Sequence, residues 1–398
     1  MINYFRNNFY TLLGGSLIAM MAFSTAIPNL IFGLMIFVYI FKTKCKQFSA
    51  VHNKALFFLI LLLTFFTVKS VYNHYFISDF KYLSRYFIII STCILFYGIN
   101  QTTLVVSYLI FAILATLRAT INAIKYVCVF HEIPFGNGII VNKILVIERP
   151  YIGFISVIAL SCLFYLWYNK PQFKKVYLLF AGYFFLFCFI IAARLSLMSI
   201  LLSIIIYILF FIKKPIISRV FLILTILLVS SGSLFLYKNL STRVFTKIGS
   251  QGFYDPRITV WSCVGKIVHS DEFNLAIGDK NYGESYSQLQ KCYQSEDMDD
   301  QSRKDWFLEK NFNTHNQFFD ILLAGGVIGL ALFFFSITYL LKDARIGFFE
   351  TTLVCSLILF LVFENVFHRQ LGCYLTGIIY SLLVISQIKV ILSQANIR

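Results

Sequence analysis

Apolar runs of about 17 to 25 residues recur along nearly the whole chain, each long enough to cross the hydrocarbon core of a bilayer as a helix. Lipid offers no hydrogen bonds to a backbone, so segments of this length and composition must be helical. The chain has 398 residues, of which 59% are hydrophobic, 18% aromatic and only 13% charged. A mean hydropathy of +0.78 is far outside the range of a soluble domain. The expected fold class is therefore all-α, a polytopic membrane protein of about twelve transmembrane helices. No short apolar segment with a small-residue cleavage site precedes the first run, so no removable signal peptide is expected.

The charge pattern orients this bundle. A formal net charge of +16 in a soluble protein would suggest nucleic acid, but here the cations concentrate in short loops between apolar runs, which excludes nucleic acid as the expected partner. Lys42, Lys44, Lys46 and Lys54 form one such cluster, Lys170, Lys174 and Lys175 a second, Lys213 and Lys214 a third, and Lys342 and Arg345 a fourth. With twelve spans and both termini cytoplasmic, every one of these clusters falls on the cytoplasmic side. Residues 1–237 then hold spans one to nine, 238–314 form one long, partly helical outer loop, and 315–398 hold spans ten to twelve. The stretch 125–150 is too rich in turn formers to be a span and reads as a short re-entrant or surface element. The outer side collects the long loop, the junction of the seventh and eighth spans at Arg194, and the turn from Glu364 to Arg369.

Where the long polar segment meets the tenth span, the chain reads Asn313-Thr314-His315-Asn316 and then runs apolar to Gly326 and Gly329. Asn313 or Thr314 can cap a helix beginning at His315. An imidazole in the first turn, at the positive end of the helix dipole, is favoured as the neutral base; by position alone a histidine at a membrane boundary is usually an ordinary interfacial residue. Arg194, between two apolar runs in Ala193-Arg194-Leu195, either snorkels to lipid headgroups or serves a function, since charge at membrane depth is costly. Asp255 and Pro256 are good cap and first-turn residues, predicting a helix over about 256–269. Arg257 and Trp261 share one face of it, and Arg257 is either an anion-binding group at the helix start or a surface arginine stacked on Trp261.

Three further features carry alternatives. Of nine cysteines, only Cys263 and Cys292 lie in the long polar segment, where they are either free or paired in an oxidising compartment. The polar run 295–305 is a solvated segment or a lid. Glu364 and Arg369 either bridge to each other across their turn, or Glu364 orients His315. Neither paired carboxylates, metal-ligand spacing nor a serine triad appears, and no metal or cofactor is expected.

The His-Asn pair, nine residues, Gly326, two residues and Gly329 reproduce a pattern of the O-antigen ligase family, which also contains O-antigen polymerases and oligosaccharyltransferases. Arg194, the Arg257-x3-Trp261 element, the Gly-containing stretch 274–283 and the Glu364 to Arg369 turn resemble the same family; Ala193 departs from it, standing where a serine is common. The resemblance implies an inverting, metal-independent glycosyltransferase of the bacterial inner membrane with its active site facing the periplasm. Its donor would be a glycan on undecaprenyl diphosphate and its acceptor a hydroxyl of lipid A-core or of another glycan, with membrane lipids as surroundings. His315 would be the catalytic base, and Arg194, Arg257 and Asn316 would bind substrate, supported by Trp261, Glu364 and Arg369. Ligation to lipid A-core is the first expectation and polymerisation of O-antigen or capsular polysaccharide the alternative. A flippase for lipid-linked sugars fits less well, because no inverted repeat is visible and the charges gather at one face.

Overall fold

The computed structural model describes residues 2–42, 53–131, 138–212, 215–220, 222–224, 256–295, 301–344 and 347–395. Every regular element among them is helical. The first half contains α1 (Ile2–Met20), α2 (Ala26–Lys42), α3 (Lys54–Tyr72), α4 (Phe76–Phe96), α5 (Gln101–Phe130), the short α6 (Gly138–Leu145), α7 (Arg149–Asn169), α8 (Lys174–Ile190) and α9 (Arg194–Ile206). The second half contains α10 (Pro256–Val268), α11 (Tyr282–Ser295), α12 (Gln301–Lys310), α13 (Gln317–Ala344), α14 (Phe348–Phe363) and α15 (Gln370–Ala395). Among the described residues six segments are long and apolar enough to cross a membrane, and shorter apolar helices occupy Phe9–Met20, Ala26–Phe41, Phe348–Phe363 and Gln370–Ser386. The chain is thus an all-helical membrane protein. The expected ninth span lies largely outside the described residues, as do Asp255 and the core of the acidic run, 296–300. In the stretch read as broken, α5 continues to Phe130 and α6 stands alone at Gly138–Leu145.

Hydrophobicity cannot drive one helix onto another in lipid, so close packing and polar bonds hold the bundle. The helix pairs α3 with α13 and α4 with α15 form its most extensive contacts, and α7 sits among α5, α8, α9 and α14. Gly153 lets α7 lie directly against Ser196 of α9 and Ala193 just before it, where any side chain would collide. Buried hydroxyls add interhelical bonds. Ser336 on α13 bonds Ala55 O of α3 at 2.8 Å and Tyr380 of α15 at 2.9 Å, and Tyr108 donates to Ile155 O at 3.2 Å.

Helices α10 to α12 enclose a separate small core around Val260, Val264, Leu289, Tyr293 and Phe307, which meets α13 at Leu323 and Phe319. Cys263 and Cys292 form a disulfide joining α10 to α11 across 29 residues. Loop closure of that length stabilises by about 3.6 kcal/mol in the chain-entropy account. The helix expected over 256–269 is present at Pro256–Val268. The end of the polar run is helical, as α12, rather than irregular.

The small core is locked to the bundle through a break in α13. Gly326 adopts φ +59°, ψ −160°, which interrupts the helix, and Gly278 faces it at φ +72°. The segment 274–279 enters the gap: Asp279 N–H donates to Leu323 O at 2.9 Å, Val327 N–H to Leu275 O at 2.9 Å and Ile328 N–H to Ala276 O at 3.1 Å. Lys69 of α3 donates to Ile277 O at 2.7 Å and to Ala324 O, so the carbonyls freed by the break are satisfied by a cation. Small residues such as those of the motif suggest close packing on a neighbouring helix, and the stretch 274–283 suggests a turn that shapes the pocket; the structure shows otherwise. Gly326 does not serve helix-on-helix packing, and the loop is not a free turn shaping a pocket. The two form one interlocked joint in which backbone meets backbone.

Gly326→Ala is expected to abolish folding, because the new Cβ would lie 2.5 Å from the Ala276 carbonyl at a φ that alanine resists. The check is the yield of monodisperse protein in size-exclusion chromatography, with Gly329→Ala, whose Cβ finds only contacts of 3.6 Å or more, as the tolerated control. A second expectation concerns Asp279, which burial raises from the ordinary 3.8 to about 6, Ser285 and Lys69 opposing the shift. A carboxyl raised by folding binds its proton more tightly in the native state, so stability is highest below about pH 4 and falls as pH rises to about 6. Asp279→Asn keeps an acceptor for Gln288, flattens that slope in thermal unfolding, and gains on the order of 2 kcal/mol above pH 6.

Candidate active site

Three arginines from three separate helix starts line one cavity of about 270 Å³: Arg149 opens α7, Arg194 opens α9, and Arg257 is the second residue of α10. Phe363, Glu364 and Ser196 complete the wall used here. Each helix start carries backbone N–H groups without helical acceptors. A cation in a first turn opposes the helix dipole, an arrangement that an anion lying among the three helix starts reverses. Proline at α7 and α10 fixes the backbone at the start without spending a donor. At α9 the chain reaches Arg194 through Ala192 in the left-handed region, φ +53°.

Glu364, where α14 ends, ties this cavity to the histidine. Its Oε1 accepts from Arg257 Nη2 at 3.1 Å, and Arg257 also donates to Phe363 O at 3.2 Å. Its Oε2 lies 3.8 Å from His315 Nδ1. That distance is too long for a hydrogen bond but within ion-pair range. His315 Nδ1 is buried while the side chain is 27% exposed, so its accessible surface belongs to the rest of the ring. Glu364 thus stands between Arg257 and His315. The bridge to Arg369 does not form; Arg369 pairs with Glu148 and faces away.

The surroundings of His315 differ from expectation in one respect. It does not lie in the first turn of α13. Asn316 is the cap, its Oδ1 accepting from Phe318 N–H at 2.9 Å and Phe319 N–H at 3.1 Å, and the helix begins at Gln317. Asn313 instead turns the chain beforehand by accepting from His315 N–H at 3.0 Å, and His315 itself is left-handed at φ +45°. An asparagine on each side of the histidine competes for backbone donors, and the fold settles the cap on the later one. With its Oδ1 committed to the cap and 6% exposure, Asn316 braces the backbone next to the histidine and does not line the arginine cavity. Trp261 does the same from α10, donating Nε1–H to Thr314 O at 3.0 Å and packing against Phe319 and Phe363. The guanidinium of Arg257 engages Glu364 where a stack on Trp261 was the alternative.

Two features escaped sequence reading. Arg149 is buried and joins the other two arginines; its signal was the Arg149-Pro150 helix start, matching Pro256-Arg257. Asp320, whose surroundings in the sequence suggest no more than packing, is the centre of a polar network. It accepts from Tyr286 at 2.9 Å and Asn365 Nδ2 at 3.3 Å, and His368 Nε2 lies at 3.3 Å. Burial first, and then the Asp320 carboxylate, raise the Tyr286 phenol well above its ordinary range, so it stays protonated as a donor. Asn365 passes the network on, its Oδ1 accepting from Thr314 at 3.0 Å. Ser196, one turn beyond Ala193, lies at the cavity wall, but its hydroxyl is buried against Gly153 of α7 and does not replace the one that Ala193 lacks.

Residues 179–334 match the O-antigen ligase family model. The resemblance carried by the His315 motif is thereby supported over a segment running from α8 into α13, which includes Arg194, Arg257, Trp261, His315 and Asn316. Arg149 and Glu364 lie outside the matched segment, yet complete the same cavity wall. No curated protein matches the chain. O-antigen ligase resemblance thus rests on the family model and on the motif, and the geometry of the cavity stands independently of both.

Proposed function

We propose that the protein transfers a glycan from undecaprenyl diphosphate to an acceptor hydroxyl on the periplasmic face of the bacterial inner membrane, as an O-antigen ligase acting on lipid A-core. The observation that carries the reading is the cavity formed by Arg149, Arg194 and Arg257, linked through Glu364 to His315. Guanidinium forks match phosphate oxygens, and three of them beside three helix starts supply the charge that a diphosphate leaving group develops. The disulfide between Cys263 and Cys292 supports an oxidising compartment for α10 and α11, and hence for the cavity beside α10.

In this reading Glu364 draws the Nδ1–H tautomer of His315 toward itself, leaving Nε2 with its lone pair as the base. The acceptor hydroxyl gives its proton to Nε2 as its oxygen attacks the sugar C1 from the face opposite the diphosphate. The new C1–O bond forms while the bond from C1 to the diphosphate oxygen breaks, and the electron pair leaves with undecaprenyl diphosphate held by the arginines. The anomeric configuration inverts. Asn316 and Trp261 hold the left-handed backbone at His315, so that the imidazole is placed before substrate arrives.

The test is transfer by the purified protein in detergent or nanodiscs, with a lipid-linked glycan donor and lipid A-core as acceptor. His315→Ala is expected to lower turnover by about 10²-fold or more while donor binding persists. Arg194→Ala is expected to weaken donor binding itself. Full activity in His315→Ala contradicts the base assignment, and transfer only to a second glycan repeat redirects the reading to a polymerase.

A further inference from the structure

Behind the arginine cavity runs a second, larger depression. One part, of about 580 Å³, is edged by Lys81, Arg85, Glu148, His368 and Arg369. A neighbouring part of about 330 Å³ reaches Arg118 and Tyr374. The two share a stretch of wall at Thr25, Val146, Ile147, Gln370 and Leu371, and so make one elongated groove. Its partition from the arginine cavity is built of two short segments. In the first, Arg149 and Pro150 face the cavity while Glu148 and Tyr151 face the groove; in the second, Glu364 faces the cavity while His368 and Arg369 face the groove. Tyr151 hydroxyl, donating to Asn365 O at 3.3 Å, joins the two segments.

Four fixed cations, Lys81, Arg85, Arg369 and Arg118, against the single carboxylate Glu148 give the groove a strong positive balance along its length. Arg85 lies over the Tyr82 ring at 4.9 Å, and Arg118 is held at its end by the carbonyls of Ala22 and Phe23 at 3.0 and 3.3 Å. Between the cations stand hydroxyl, amide and imidazole groups, Thr25, Ser84, Gln370 and His368, which both donate and accept and so match sugar hydroxyls. A lone lipid headgroup needs one basic spot; cations distributed along a groove suit a chain bearing repeated negative charge. From His368, the Asp320, Asn365 and Thr314 bonds lead back to the residue before His315, so a chain in the groove lies against the network that supports the base.

We infer that this groove binds an extended glycan bearing acidic sugars, carboxylated or phosphorylated, as the second substrate of the transfer. The inference rests on the glycan-transfer reading for its role as acceptor site, while binding itself is measurable without transfer. The experiment compares trigalacturonate, an oligosaccharide carrying mannose 6-phosphate, and maltotriose as probes of the full-length protein in nanodiscs, by microscale thermophoresis. At least one acidic probe is expected to bind about tenfold or more tighter than maltotriose, and the Lys81→Gln/Arg85→Gln double variant to lose about tenfold of that affinity. Arg194→Ala is expected to leave it within about twofold, since Arg194 lines the other cavity. Should the double variant fail to fold, the single variants Lys81→Gln and Arg85→Gln, each removing one groove cation, supply the same comparison with a smaller loss. The inference is overturned if neither acidic probe outbinds maltotriose, if the loss follows Arg194 and not the groove cations, or if nanodiscs of phosphatidylglycerol displace the acidic probe, which would mark a lipid headgroup site. Groove binding in a protein that transfers nothing removes the transfer reading alone; transfer without groove binding removes this inference alone.

Discussion

One carboxylate links the groups on which the site depends. Glu364 bonds Arg257 through one oxygen and stands 3.8 Å from His315 through the other, joining the end of α14, the start of α10 and the entry to α13. These elements lie far apart in sequence, and their junction is the only route in the described residues by which an ion pair carries the arginine cavity to the imidazole. A partly buried charge-assisted bond of this kind depends on geometry more than on Coulomb attraction in water. The positions of α10 and α13 must therefore be fixed by something stronger than the pair itself.

The broken helix provides that fixity. In an uninterrupted α13, the small core of α10 to α12 would rest on side chains alone. Instead the segment around Gly278 enters the gap at Gly326 and exchanges backbone hydrogen bonds on both sides of it, with Lys69 satisfying the carbonyls left over. The disulfide then ties α11 to α10, and Trp261 of α10 reaches Thr314 beside the histidine. Each contact shortens the path between the joint and His315. The strain at φ +45° on the histidine is paid by this surrounding framework, as is usual where a side chain must be presented in one orientation.

Much of this was legible in the sequence. Apolar run length gave the all-helical membrane class, Pro256 gave the start of α10, and the spacing of His315, Gly326 and Gly329 marked the segment that matters. What the sequence hid was decided by contacts across the chain. Asn313, Thr314 and Asn316 are all good caps, and only the fold selects Asn316. Gly326 reads equally as a packing glycine or a break until Gly278 is seen opposite it. Arg149 lay in a stretch read as a surface element, and nothing local distinguishes an arginine that ends beside two others from one that ends in solvent. Asp320 and His368 are 48 residues apart, beyond the reach of any periodicity argument.

Everything proposed for the site requires three helix-start arginines to share one anion. A cryo-EM map of the protein in nanodiscs with farnesyl diphosphate measures this most directly. Diphosphate density in contact with Arg149, Arg194 and Arg257, with the terminal phosphate on the side of His315 and the farnesyl chain running toward lipid, is the predicted result. Density bound elsewhere, or a map in which the three guanidinium groups open to different sides of the bilayer, would contradict it.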